Sequence, residues 1–186
     1  MSMLIKPKGS LNNVAEITAW VAVAVVKAIE HVSGVKPGIK WVNDLVLDGK
    51  KICGILTEMT TIGECVQEPC LVVGIGINVN NQKKDFLEDI QEMASSIREM
   101  TGKTIEREEL VAAVIRELDC MYQDWPCKKK DYLSYYRNAC VTTGKEVRII
   151  QNGVERIGVA KSVTEEFKLQ VCYPNGRMDV VSSGEV

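Results

Sequence analysis

The distribution of apolar residues predicts a long helix near the start of the chain. Over residues 14–32, apolar side chains recur every three to four positions, which is the spacing of an amphipathic helix. Ser10 or Asn12 is suited to cap its start, and Gly34 is suited to end it because glycine tolerates the left-handed conformation at a helix C-terminus. We interpret Trp20 within this helix as a packing residue.

Three further stretches of the chain show helical spacing. Residues 86–100 and 106–125 predict two helices, and residues 132–139 predict a short fourth one. We interpret the methionines in the first of these stretches, Met93 and Met100, as core-filling side chains, because methionine adapts to irregular gaps.

The remaining stretches alternate with the period of two that is typical of strands. Residues 2–6 predict an edge strand, and residues 40–59 predict a hairpin around Asp48-Gly49, because Asp-Gly tolerates the positive φ angles of a tight turn. Residues 71–80 predict a third strand of the same sheet. The last part of the chain holds four or five short strands, with a turn at Asn152-Gly153, and predicts a small barrel.

Together these elements predict an α+β fold in two domains. In residues 1–140, an antiparallel or mixed sheet is covered by helices, because the sheet has to bury its apolar face. In residues 141–186, the short strands form a second, smaller β-domain. The change from helical to strand spacing marks the boundary between the two.

Composition and charge narrow the function classes. The chain has 186 residues, of which 46% are hydrophobic, and this is enough for a core of ordinary size. The net charge of −2 argues against nucleic-acid binding, which depends on Lys and Arg contacts with phosphate. Residues 17–29 are the most apolar stretch, but they include Lys27 and are too short to span a bilayer. With no signal peptide at the N-terminus, we expect a cytoplasmic protein that binds neither nucleic acid nor membrane.

The cysteines indicate a reduced protein without a metal centre of its own. The seven cysteines include no C-x-x-C pair, and the single His31 does not complete a usual zinc set. The chain also offers no Ser-His or Cys-His motif of a nucleophilic enzyme. We therefore interpret Cys53 as a small core residue and not as a catalytic thiol.

Glycine and amide positions single out the hairpin and the third strand. On the strand after the turn, Lys51 is expected to share one face with Cys53, Ile55 and Thr57, while Gly54 interrupts the other face. A glycine inside a strand marks a bulge or a close contact with the backbone. The third strand carries on one side Gly74, Gly76, Asn78 and Asn80. Two glycines without side chains, followed by two side-chain amides, suit the binding of a flat polar ligand. A dinucleotide-binding loop is excluded, because no third glycine follows.

These two segments resemble the catalytic centre of biotin protein ligases, also called biotin--[acetyl-CoA-carboxylase] ligases. The family pattern is K-W-P-N-D, then a lysine before G-I-L-x-E, and then G-x-G-I-N. The matching positions are Lys40, Trp41, Asn43, Asp44, Lys51, Gly54, Ile55, Leu56, Glu58, Gly74, Gly76, Ile77 and Asn78. Val42 stands where proline is usual. A lipoate-type ligase fits the K-W-x-N-D and G-I-N combination less well.

The resemblance implies a two-step reaction. Biotin is first adenylated with ATP to biotinyl-5'-AMP, and the biotinyl group then moves to a lysine of a biotin carboxyl carrier protein. Mg²⁺ accompanies the reaction through the ATP phosphates. The resemblance also implies that residues 141–186 form an SH3-like domain, a small β-barrel.

The resemblance assigns a role to several residues. Lys51 corresponds to the catalytic lysine that contacts the adenylate; apart from the motif, it would be interpreted as an ordinary exposed lysine like Lys50. Asn78 falls beside the adenine, while Asn43 and Asp44 fall near the phosphates, where Asp44 is within reach of Mg²⁺ through water. The other expected biotin- and adenylate-binding residues are Trp41, Gly54, Leu56, Gly74 and Gly76. Trp41 packs either beside the ligand or in the core.

The sequence departs from the family at its front. The family's loop of the form G-R-G-R-x-G-R, which folds over biotin and the phosphates, has no counterpart in the sequence. We therefore expect an N-terminally truncated ligase whose activity is impaired in this chain by itself. The alternative is a non-catalytic remnant that acts as a binding or interaction module. In either case the edge strand is free to pair with another chain, which allows a homodimer.

Overall fold

The structure is a computed structural model, and it describes residues 1–8, 14–62, 68–151 and 154–182. Two antiparallel sheets and the helices packed on them make up these residues. The elements in chain order are β1 (Ser2–Ile5), α1 (Val14–Ser33), β2 (Gly38–Lys40), β3 (Asp44–Leu47), β4 (Lys50–Ile62), β5 (Glu68–Ile77), α2 (Ile97–Thr101), α3 (Arg107–Asp124), α4 (Lys129–Ala139), β6 (Glu146–Gln151), β7 (Val154–Val163), β8 (Leu169–Cys172) and β9 (Met178–Val181).

The first sheet has five strands in the order β1-β5-β4-β3-β2, and every neighbouring pair is antiparallel. The predicted hairpin is confirmed as β3 and β4. Asp48 and Gly49 between them have φ angles of 46° and 80°, as a tight turn of two residues requires. The predicted edge strand is confirmed as β1, which pairs with β5. Two short strands therefore form the edges, and the long strands β4 and β5 form the centre.

The helix α1 covers one face of this sheet. Its apolar side chains are buried on nearly every side, because α1 packs against the sheet as well as against α3 and α4. Ile17 and Ile29 are fully buried, and burial of an aliphatic side chain of this size contributes about 1.5–3 kcal/mol. Gly34 follows the helix with a φ of 76°, as predicted. The predicted caps Ser10 and Asn12 lie outside the described residues.

The helices α3 and α4 confirm the two later helical predictions. The inner face of α3 is buried through Leu110, Val114, Leu118 and Met121. Trp20 of α1 stacks on Tyr132 of α4 with 4.0 Å between the ring centroids, which agrees with a packing role. None of the helices in the described parts of the chain is both long and apolar enough to cross a membrane.

The helix predicted over residues 86–100 is wrong for most of its length. Only residues 97–101 are helical, and the preceding segment consists of turns. The backbone N–H of Lys51 donates to the Met93 carbonyl at 2.8 Å, and the N–H of Ser95 donates to the Lys51 carbonyl at 2.9 Å. These backbone groups of the segment are thus paired with strand β4 and are not available for helical hydrogen bonds.

The strands near the C-terminus form a second sheet in the order β6-β7-β8-β9. Short strands were predicted here and are confirmed, but within residues 142–151 and 154–182 they do not close into a barrel. The reason is that β6 pairs with β7 and β9 pairs with β8, but β6 and β9 do not pair with each other and remain edge strands. The predicted turn at Asn152-Gly153 lies outside the described residues.

The second sheet packs tightly on the first part of the chain. Tyr136 of α4 meets the ring of Phe167 edge-on at 5.6 Å, and the Arg137 Nε donates to the Val163 carbonyl at 2.8 Å. At Gly38, an added Cβ would lie 2.3 Å from Val141 Cγ1, so only glycine fits beside the connecting segment. The core is consequently continuous from α1 to the second sheet.

Candidate active site

A β-bulge in strand β4 turns Lys51 towards the open face of the sheet. Val46 pairs with Lys51 and Leu45 pairs with Cys53, so Ile52 is an extra residue on β4. Ile52 and Cys53 are therefore both buried, at 0% and 1% exposure. The expectation that Lys51 shares a face with Cys53 is wrong, because the bulge shifts the alternation by one residue. Lys51 instead lies on the same face as Gly54.

Lys51 forms an ion pair with Asp44 across the hairpin. Its Nζ lies 2.7 Å from Asp44 Oδ1, and the two side chains are 49% and 23% exposed. Asp44 is also the register partner of Gly54. The lysine thus reaches back over the bare backbone of Gly54 to the neighbouring strand. This contact holds a positive charge at one place on an otherwise open sheet face.

Two cavities meet at this ion pair. The larger has a volume of about 800 Å³, and the smaller has a volume of about 470 Å³. Both are lined by Asp44, Lys51, Gly54 and Gly76. The larger continues to Asn78, whereas the smaller continues along the sheet to Asn43, Leu56 and Gly74. The structure therefore brings together every predicted site residue except Trp41.

Apolar residues that the sequence analysis assigned to a helix line the larger cavity. Phe86, Ile90 and Met93 belong to the segment of turns that crosses β4, and Met93 is 63% exposed. The interpretation of Met93 as core filler is therefore wrong. The charged residues Glu88 and Glu92 would lie on the opposite, polar side of such a helix, so the sequence pattern gave no signal against it.

An exposed cluster of charges connects that segment to the hairpin. Glu92 bonds to Lys83 and lies 3.9 Å from Lys50. The hydrogen bond from Lys83 lowers the pKa of the Glu92 carboxyl, and the same bond raises the pKa of the Lys83 ammonium. Since all three side chains face water, we assign this cluster little weight in stability.

The comparisons with known proteins agree with the motifs. The model of the Biotin/lipoate A/B protein ligase family matches residues 1–78, which include the hairpin and β5. The bifunctional ligase/repressor BirA of Bacillus subtilis is 36% identical over 125 residues, which is 67% of this chain and 38% of that protein. The biotin--[acetyl-CoA-carboxylase] ligase of Mycobacterium tuberculosis is 28% identical over 167 residues, 88% of this chain and 58% of that protein.

The solved structures extend the likeness over the whole chain. The biotin protein ligase from Aquifex aeolicus in complex with biotin and ATP has a TM-score of 0.84 at 25% identity, covering 99% of this chain and 75% of that one. The chain belongs to the biotin protein ligase family. Lipoate-protein ligase A bound with ATP has a TM-score of 0.51 at 13% identity over 66% of this chain, and shares the fold alone. The chain spans only 38% of the length of the Bacillus relative.

Trp41 of the family motif and Asn80, the second amide of the third strand, lie outside the two cavities of this biotin protein ligase family member. Trp41 is 3% exposed, and its indole N–H donates to the Phe167 carbonyl at 2.9 Å, so it packs in the core. The Asn80 side chain bonds to the backbone N–H and carbonyl of Ile105 at 3.0 and 2.8 Å. The expected second amide on the ligand face is thus used to hold a connecting segment.

Cys53 lies beside the ion pair but faces the core. The pKa of its thiol is raised to about 12, chiefly by burial and secondarily by the Asp44 carboxylate, while the Lys51 ammonium partly offsets both effects. The thiol is accordingly protonated at neutral pH and unreactive. This agrees with the interpretation of Cys53 as a small core residue.

The arrangement suits a reaction between anionic ligands that a positive charge stabilises, with no enzyme side chain acting as nucleophile. A half-exposed ammonium lies where two cavities meet, and the glycine positions of β4 and β5 leave the backbone open beside it. An anionic ligand at this junction would gain from the lysine charge more than it would in water, because the apolar side chains of the larger cavity exclude part of the solvent there.

Proposed function

We propose that this site serves the ATP-dependent activation of biotin to biotinyl-5'-AMP and the transfer of the biotinyl group to a lysine of a biotin carboxyl carrier protein. The single observation that carries the proposal is the position of Lys51 at the junction of the two cavities. The Aquifex neighbour, which is a complex with biotin and ATP, supports the same pair of substrates.

Each cavity has features that suit one half of the adenylate. The larger combines apolar side chains with the Asn78 amide, which can both donate to and accept from a purine ring. The smaller runs over Gly74 and Leu56, where a flat apolar ligand can lie against the strands. We therefore assign adenosine to the larger cavity and biotin to the smaller one.

Lys51 then lies where the carboxylate meets the α-phosphate. In the first step a biotin carboxylate oxygen attacks the α-phosphorus and pyrophosphate leaves; in the second, the carrier lysine attacks the acyl carbon and AMP leaves. Both steps gather negative charge at one point, which the Lys51 ammonium stabilises. A charge-assisted hydrogen bond of this kind contributes about 1.5–3 kcal/mol.

Mg²⁺ would enter this site with the ATP phosphates. Within the described ranges, no three His, Cys, Asp or Glu side chains are grouped to hold a metal ion. Magnesium bound to nucleotide phosphates needs only one or two protein carboxylates and keeps several waters. Asp44 is the carboxylate that lines both cavities and would supply one of them.

The proposal extends to the organisation of the protein. Residues 1–140 would be the catalytic domain and residues 141–186 an SH3-like domain, which the presence of two separate sheets supports. The six cysteines that the structure describes are free, as in a cytoplasmic protein. Strand β1 pairs on one side with β5, and its other side is where a second copy would add to form a homodimer.

The test uses the full chain with biotin and Mg-ATP. Biotinyl-adenylate is detected by mass spectrometry, and a biotin-accepting carrier domain is added in a parallel reaction. Affinity for added biotinyl-5'-AMP is measured by calorimetry. We expect Lys51→Ala to weaken adenylate binding about 10- to 150-fold, and the control Lys50→Ala to leave it unchanged. Folded protein that neither forms nor binds the adenylate, or equal effects of the two variants, would refute the proposal.

A further inference from the structure

The space above Gly54 is filled by Lys51. A Cβ added to Gly54 would lie 3.2 Å from Lys51 Cε, 3.3 Å from Lys51 Nζ and 3.6 Å from Asp44 Oδ1. At Gly74 the nearest atoms belong to Leu56 at 3.9 and 4.0 Å, and at Gly76 the nearest atom is the Gly54 carbonyl at 3.9 Å. Three glycines of one sheet face therefore differ: two have ordinary room for a methyl group, and one does not.

The bulge makes this close approach necessary. Because Ile52 is the extra residue of β4, Lys51 emerges on the Gly54 face, on the strand next to Asp44. To bring its ammonium to the carboxylate of Asp44, the aliphatic part of the lysine has to cross the strand at the position of residue 54. A methyl group there would crowd Lys51 Cε and Nζ, and a larger side chain would compete with them for the same volume.

We infer that Gly54 is a positioning residue for Lys51: its bare backbone is the space in which the lysine lies, and this keeps the ammonium beside Asp44 at the junction of the two cavities. The sequence alone predicts another purpose for this glycine, the approach of a ligand to the backbone. That purpose still suits Gly74 and Gly76. The catalytic meaning of the inference rests on the proposed function, whereas the position of the lysine does not.

The first arm of the test measures the position of the lysine without any ligand. An ammonium held in an ion pair exchanges its protons slowly enough for its ¹⁵N signal to be followed by NMR, and Lys51→Met identifies the signal. We expect Gly54→Val to displace or abolish it, Gly54→Ala to shift it by less, and the control Gly74→Val to leave it unchanged. Valine suits a strand, and Gly54→Ala keeps the test valid if the larger variant does not fold. An unchanged Lys51 signal in folded Gly54→Ala and Gly54→Val would overturn the inference.

The second arm distinguishes whether Gly54 acts by positioning Lys51 or by leaving space for a ligand. Affinity for a non-hydrolysable sulfamoyl analogue of biotinyl-adenylate is measured for Gly54→Val, Lys51→Met and the double variant. If Gly54 acts through Lys51, each single variant loses about 10- to 150-fold and the double variant loses no more than Lys51→Met alone. If the glycine makes space for ligand, the two losses multiply, and the inference is wrong. Failure of the wild-type chain to bind the analogue would count against the proposed function, and the NMR arm would then decide the inference.

Discussion

Replacing Trp41 by phenylalanine tests whether this residue of the motif acts in packing or in binding. The change removes the indole N–H that donates to the Phe167 carbonyl at 2.9 Å. Both residues are buried, at 3% and 0% exposure, so water does not replace the lost donor. A buried carbonyl left without its partner costs about 1–3 kcal/mol. The bond also joins the two parts of the core, since Trp41 follows β2 and Phe167 precedes β8.

For a chain of this size, each kcal/mol shifts the melting temperature by about 2–4 °C, so the expected fall is about 2–12 °C. The assay is thermal unfolding followed by circular dichroism, together with calorimetry of adenylate binding, which we expect to be unchanged. The matched control is Trp20→Phe. Trp20 is 0% exposed, and its indole N–H has no hydrogen-bond partner among the described residues, so this variant loses ring area alone.

The expected order is a larger loss of stability for Trp41→Phe than for Trp20→Phe. The opposite order would contradict the hydrogen-bond reasoning. A Trp41→Phe variant that melts like the wild type but binds the adenylate more weakly would assign Trp41 to the ligand site.

Two further predictions concern the core thiol and the wall of the larger cavity. The pKa of Cys53 is raised from 9.0 to about 12, chiefly by burial, so the folded state favours the protonated thiol; its contribution to stability is complete below about pH 9 and is lost as the pH rises towards 12. In urea titrations across this range, Cys53→Ala should lessen the fall in stability, and an unaltered pH profile would contradict the prediction. Met93 is 63% exposed on the cavity wall, so Met93→Ala should weaken ATP binding by calorimetry and leave the melting temperature unchanged. The control Leu87→Ala, at a residue 73% exposed that does not line that cavity, should change neither.

The hairpin illustrates what local sequence predicts well. Asp48-Gly49 suits positive φ angles, and the flanking residues have strand propensity, so the turn and both strands follow from residues close together in the chain. The helix α1 follows in the same way from its apolar spacing and from Gly34. Local preference and tertiary packing agree in these elements, which is why the prediction succeeds.

Residues 86–100 illustrate the opposite case. Their apolar spacing fits a helix, yet the backbone at Met93 and Ser95 pairs with Lys51, some forty residues earlier in the chain. Such a pairing depends on where β4 lies, and periodicity within a short window carries no information about it. The same segment supplies the apolar wall of the larger cavity, so the error in the secondary structure also concealed three site residues.

The sequence by itself determined most of the helices and strands, the central hairpin, and the residue types of the candidate site. It did so because turn chemistry, periodicity and motif are properties of neighbouring residues. Only the tertiary structure decided which face Lys51 occupies, what fills the space above Gly54, and that Trp41 is buried with its indole bonded to Phe167. Those features depend on a one-residue bulge and on contacts between distant segments. A shift of one residue in strand pairing reverses the direction of a side chain while leaving the sequence pattern the same.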